Sequence, residues 1–95
     1  MFAVAGTWTL DSDMRERQVE ALPALIAGVR QNEGFVRGFW TEDVDDSAVS
    51  LTFIVFETLE QARAFREAVL ANAPAQAESG VDRASLRIVK VTADA

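Results

Sequence analysis

Apolar and polar residues along the chain follow two periods in turn, and the changes fall at turn-forming residues. Residues 2 to 10 are in part β-branched and aromatic, with Gly6 the only breaker, and predict a first strand. Asp11-Ser12-Asp13 follows, with Glu16 three residues after Asp13, supplying acceptors for the free amides of a helix start and an acidic first turn. From there Val19, Leu22, Leu25, Ile26 and Val29 recur at steps of three and four residues, so they share one stripe of a first helix. Arg15, Glu16, Glu20 and Arg30 occupy the rest of its surface. Pro23 lies inside this stripe. It has no N–H for the carbonyl of Val19, which predicts a kink or a split at a cost of about 3 kcal/mol. Gly34 fits the left-handed position that closes a helix.

Residues 35 to 41 predict a second strand, Glu42 to Ser47 a polar turn, and residues 49 to 57 a third strand that completes a hairpin. Thr58 with Gln61 three residues on has capping-box spacing. A second helix then runs to about Asn72, with Ala62, Phe65 and Val69 on its inner face and Glu60, Arg63 and Glu67 outside. The stretch from Ala73 to about Asp82 is rich in Ala, Pro and Gly and reads as a loop, Ser85 to Thr92 as the last strand, and residues 93 to 95 as a frayed tail. The resulting order is strand, helix, strand, strand, helix, strand. That is the α+β, ferredoxin-like βαββαβ arrangement, a four-stranded antiparallel sheet with two helices on one face, in a single domain spanning residues 1–95.

Period-two counting then places side chains on the two sheet faces. A hairpin turning near Asp45 and Asp46 puts Val36, Gly38 and Trp40 with Leu51, Phe53 and Val55, and puts Phe35, Arg37, Phe39 and Thr41 with Thr52, Ile54 and Phe56. Both faces are substantially apolar, and two helices cover only one. Phe35, Phe39, Ile54 and Phe56 are therefore expected to meet water in a monomer. Burying them is worth on the order of 6 to 12 kcal/mol before the entropy of association. A homodimer docked sheet to sheet is the expected solution, with Arg37 and Thr52 in the interface or at its rim.

Composition narrows the chemistry. With 9 basic and 15 acidic side chains the net charge is -6, which argues against nucleic acid or an anionic membrane as partner. The absence of Cys, His and Tyr excludes a thiolate nucleophile, a catalytic triad, an imidazole or thiolate metal site and a phenolic acid or base. No basic start with an apolar signal stretch and no membrane-length apolar run is present, so a cytoplasmic protein is expected.

Three stretches carry a resemblance: Gly34-Phe35-Val36-Arg37-Gly38-Phe39, then Phe56-Glu57-Thr58-Leu59-Glu60 with Ala64-Phe65, and Arg87-Ile88-Val89-Lys90-Val91. In these the chain resembles the antibiotic biosynthesis monooxygenase-like domains of the dimeric α+β barrel superfamily. The resemblance implies a ligand cleft between sheet and helices, where some members oxidise aromatic polyketides or quinols without metal or flavin and others degrade haem. The Asn, Trp and His used by haem-degrading members fall on Gly6, Phe65 and Pro74 here, so haem is not expected. Oxygenating members rely on an Asn, a Trp and a Tyr, and this chain has no Tyr and carries its Trp residues elsewhere.

Trp8, Trp40, Phe53 and Phe65 are the candidate lining of an aromatic cleft, with an indole N–H to hold one ligand oxygen; ordinary core packing is the alternative. Arg37, a charge in an apolar strand, is a candidate for a carboxylate or enolate, or else pairs with an acid or snorkels at an interface. Gly6 and Gly38 read as strand glycines under a closely approaching helix rather than space for a ligand. Glu57 reads as a solvated strand-end acid, and Glu42 to Asp46 as a solvated turn without the glycine and distal Glu of a calcium loop. Lys90, the only lysine, suits a Schiff base only if buried. No catalytic residue is assignable, and no metal or cofactor is expected. The expected function is binding of a small hydrophobic or aromatic molecule with cofactor-independent oxidation of it, the alternative being a non-catalytic dimeric binding or structural module.

Overall fold

A computed structural model describes residues 1–95. Strand β1 (Phe2–Leu10) leads through a 3-10 turn at Ser12–Met14 into α1 (Arg15–Arg30), followed by β2 (Phe35–Trp40), β3 (Val49–Phe56), α2 (Leu59–Ala71), a short α3 (Ala73–Glu78) and β4 (Val81–Lys90). The four strands form one antiparallel sheet in the order β2-β3-β1-β4. The α+β, ferredoxin-like order expected from the periodicity is the observed one.

Local chemistry explains most boundaries. Asp11 caps the 3-10 turn, its carboxylate accepting from the Asp13 amide at 3.0 Å, so the α-helix proper starts only at Arg15. Thr58 and Gln61 form the capping box reciprocally, at 3.2 and 3.1 Å. Gly34 takes the expected left-handed φ, +79°, but in the turn into β2: α1 has already ended at Arg30 with Gln31 as a right-handed cap, so Gly34 does not close the helix. Pro23 neither splits nor ends α1. It is exposed, and Val19 is half-exposed, so water can reach the carbonyl that loses its partner.

Two further expectations are corrected. The stretch from Ala73 to Asp82 is no open loop: Pro74 sits in the first turn of α3, where its missing N–H costs nothing. The last strand spans Val81–Lys90 rather than Ser85 to Thr92, because β1 pairs with it from Leu10–Val81 to Phe2–Lys90, with an irregularity beside Trp8. Its polar Asp82-Arg83 start hides this in the sequence, and the strand is set by its neighbour rather than by propensity.

The hairpin register corrects the face assignment. Gly38 pairs with Ile54, Phe39 with Phe53 and Trp40 with Thr52, one residue away from the register expected. A slip of one turns a strand over. On β3, Thr52, Ile54 and Phe56 therefore face the helices, and Leu51, Phe53 and Val55 the open side. The turn sets this register: Asp43 Oδ1 accepts from the amides of Asp45 and Asp46, and Asp46 Oδ1 from that of Ala48. A register shift between Phe35 and Arg37 also carries Phe35 to the helix side, where its ring meets Phe56 edge-on at 6.4 Å. Of the four side chains expected in water, only Phe39 is on the open face; Ile54 and Phe56 are core, and the partly buried Phe35 packs against it.

The core fills one end of the covered face. Val4, Ile54 and Phe56 of the sheet pack with Val29, Ala62 and Phe65 of the helices, with Phe56 wholly buried and its ring 5.1 Å from that of Phe65. At the other end α1 stands off the sheet: Val29 anchors its C-terminal end, whereas Val19 and Leu25 are 51% and 47% exposed.

The two helix-associated glycines are expected to respond oppositely to alanine. A Cβ on Gly34 would fall inside the Gln61 side chain and would be strained by the positive φ, so Gly34→Ala should lower unfolding free energy by roughly 1–3 kcal/mol. Gly28, inside α1 with open space around it, should gain about 0.5–1 kcal/mol on the same change. Urea denaturation of both variants measures the two signs, and equal effects would contradict the turn geometry at Gly34.

Candidate functional site

Between α1 and the uncored end of the sheet lies a partly open, mainly apolar cavity of about 450 Å³. Its floor is the helix-facing side of β1, β2 and β3, with Trp8, Trp40, Ser50 and Thr52. Leu22 and Leu25 of α1 form its roof, Phe65 and Val69 of α2 its inner wall, and Gln76 and Ser79 its far side.

A change of polarity along β3 makes the floor. Its helix-facing positions run Phe56, Ile54, Thr52, Ser50, so the strand is apolar under the core and hydroxylated under the cavity. A repeated local pattern places the two indoles. Gly6-Thr7-Trp8 on β1 and Gly38-Phe39-Trp40 on β2 each put a glycine two residues before a tryptophan on the same face. A Cβ on Gly6 would lie 2.5 Å from Trp8 Nε1, and one on Gly38 would lie 3.0 Å from the Trp40 ring, so each indole folds back over its own glycine. The glycines admit the tryptophans, not a helix as expected from the sequence.

Trp8 Nε1–H donates to Thr52 Oγ1 at 2.9 Å. The indole N–H expected to hold a ligand oxygen is therefore already engaged. Trp40 pairs with Thr52 from the opposite side, so the threonine stands between both tryptophans. Ser50 Oγ donates to the Thr41 carbonyl at 2.6 Å.

At the mouth, Arg15 and Glu42 form an ion pair at 2.7 Å, joining the start of α1 to the chain just after β2. The hydrogen bond to Glu42, and the attraction of its charge, raise the Arg15 guanidinium above its ordinary range. These two are the only ionisable side chains lining the cavity. Gln18 ties α1 to the far side: its Nε2 donates to the carbonyls of Asp11 and Ser79 at 3.0 Å and of Gly80 at 3.4 Å. Three carbonyls fix the amide orientation and leave its Oε1 buried without a donor.

Of the candidate residues from the sequence, Trp8, Trp40 and Phe65 are brought together here. Phe53 and Arg37 are not: both lie on the open face, Phe53 because β3 is turned over relative to the expected register. Thr52, expected near an interface, lies in the cavity. Its signal was the pair of hydroxyl side chains at alternate positions of an otherwise apolar strand. Glu57 and Lys90 are exposed, and no group of three or more His, Cys, Asp or Glu side chains is placed to hold a metal ion.

No protein-family model matches the chain, and no curated protein matches it in sequence. Solved structures match it along its length. A Deinococcus radiodurans protein described as a "putative antibiotic biosynthesis monooxygenase" superposes with a TM-score of 0.75 at 17% identity, covering 100% of this chain and 95% of that one. A Nitrosomonas europaea protein of the same description gives 0.75 at 17% identity, over 98% and 100%. SnoaB, a cofactor-independent oxygenase from Streptomyces nogalater solved as a point mutant, gives 0.74 at 15% identity, over 98% and 94%. Identities this low speak for fold and leave chemistry to the site. The chain thus has the ferredoxin-like α+β fold of the antibiotic biosynthesis monooxygenase domains.

Proposed function

We propose that this protein is a single-domain, cytoplasmic homodimer that binds a small, flat aromatic molecule between sheet and helices and oxidises it with dioxygen without a cofactor. The observation that carries the binding reading is the cavity itself: about 450 Å³, with two indoles on its floor and aliphatic side chains above them. That volume suits a ligand of two or three fused rings. The solved cofactor-independent oxygenase of the same fold supports the oxidative part.

The oxidation balances on the substrate alone. A hydroquinone and dioxygen give a hydroxyquinone and water: two electrons come from the hydroquinone and two from the ring C–H that becomes C–OH, and dioxygen takes all four. The chain would contribute orientation between the aromatic surfaces and exclusion of water. A second reading, a binding module without catalysis, is favoured by one observation. The cavity's two ionisable side chains are paired with each other at its mouth, so no free base lines it.

The homodimer reading rests on the open face. Phe39, Phe53 and Val89 are 52%, 39% and 42% exposed there, next to Leu51 and Val55. Such a patch is covered in a twofold, sheet-to-sheet pair.

Calorimetric titration with flat two- and three-ring aromatics should show binding, and Leu22→Trp, which fills the cavity from its roof, should weaken it at least tenfold. Unchanged affinity in that variant would place the ligand elsewhere. With hydroquinones, uptake of one dioxygen per substrate without peroxide supports the oxygenase; binding without uptake leaves the module. Sedimentation should give a species near twice the 10.4 kDa chain mass. Phe53→Asp should reduce it to the monomer, and a monomeric wild type at micromolar concentration would refute the dimer.

A further inference from the structure

The hydrogen bond on the cavity floor has a direction, and the direction leaves a donor over. An indole N–H can only donate, so Thr52 Oγ1 is the acceptor in its bond with Trp8 at 2.9 Å. The Thr52 hydroxyl hydrogen must then point to another partner, and no acceptor in the protein takes it. The neighbouring hydroxyls differ. Ser50 donates to the Thr41 carbonyl and Thr41 to the Leu51 carbonyl, each at 2.6 Å. Thr52 is thus the uncommitted hydroxyl donor of the sheet floor, and the bond it accepts polarises it toward donating.

Its placement gives this donor a use. Thr52 is flanked by Gly6 on β1 and Trp40 on β2, with the Trp8 indole folded back over Gly6 toward it. A flat molecule lying against the indoles brings its edge to the hydroxyl. We infer that Thr52 is the specificity-determining donor of the cavity, and that the ligand is a planar aromatic molecule presenting a carbonyl or phenolate oxygen between the two tryptophans. This rests on the reading of the cavity as an aromatic-ligand site and narrows it to one class. An aromatic hydrocarbon of the same shape would leave the hydroxyl desolvated and unpaired, which a hydrogen-bonding site rejects more strongly than it rejects a change of size. Trp8 acts as a positioning residue: it fixes the rotation of the hydroxyl.

The test compares 9-fluorenone with fluorene, two flat molecules that differ by one acceptor oxygen, by calorimetry. The wild type should prefer the ketone about tenfold or more. Because removing Thr52 would free the Trp8 N–H to replace it, the decisive comparison is made in the Trp8→Phe background. Trp8→Phe should keep most of the preference for the ketone, Trp8→Phe with Thr52→Ser should keep it too, and Trp8→Phe with Thr52→Val should lose it while fluorene binds as before. Should Trp8→Phe fail to fold, Trp8→Leu, which also lacks an indole N–H, serves as the background for the same serine and valine comparison. Retention of the preference with valine at 52 in a background without the Trp8 N–H, or its complete loss when Trp8 alone is replaced, would overturn the role of Thr52. Failure of both probes to bind the wild type would instead remove the cavity reading on which it stands.

Discussion

A four-stranded sheet has two faces, and this chain has helices for one. Every large feature of the structure follows from how unevenly that cover is applied. Phe56, at 0% exposure, locks the sheet to α2 through Phe65, and Ala62 and Val29 complete the contact. Beyond this end the core stops. The helix-facing residues of β3 change from Phe and Ile to Thr and Ser, and α1 carries Val19 and Leu25 past the sheet without burying them. Burying the half of either side chain that is still exposed would be worth about 0.7–1.5 kcal/mol. That stabilisation is forgone where the cavity lies and is available to whatever fills it.

The cavity is shaped by small residues as much as by large ones. Both indoles occupy their positions because the residue two places earlier is glycine, and the Trp8–Thr52 bond follows from that room. Alanine at position 6 would put its Cβ 2.5 Å from Trp8 Nε1 and 2.9 Å from Thr52 Oγ1, so both partners of that bond would have to shift. The pair at the mouth, Arg15 and Glu42, is exposed and contributes little to stability, but it sets where the start of α1 stands relative to β2. Gln18 does the same on the other side, by three backbone carbonyls. With its first turn tied in this way and Val29 buried near its other end, α1 holds its middle off the floor.

The open face raises a parallel issue of cover. Phe39 and Phe53 face each other on the neighbouring strands β2 and β3, Val89 lies beyond β1 on β4, and all three are 39–52% exposed on that face. Sheet edges and helices leave nothing within the chain to shelter them. Solved structures of the same fold at 15–17% identity show how little sequence the architecture requires. On the covered face of this chain the lining is hydroxyl, indole and aliphatic, with Arg15 and Glu42 paired at the mouth.

Element order, the capping box at Thr58 and the left-handed turn at Gly34 were legible because each depends on residues within a few positions of one another. So was the excess of apolar strand surface, which is a count and does not depend on pairing. Which face each residue joins was not legible for β3. A single-residue difference in hairpin register turns a strand over, and the carboxylates of Asp43 and Asp46, bonded to backbone amides in the turn, set that register here. Propensity misplaced β4 as well, because its polar first residues are strand only by pairing with β1. The aromatic residues announced a site, but the one carrying the uncommitted proton, Thr52, emerged only when three strands, distant in sequence, set it between two indoles. Local sequence fixes what each segment becomes; the register of strands across space decides which side chains meet, because a sheet face is shared by residues that no short window of sequence contains.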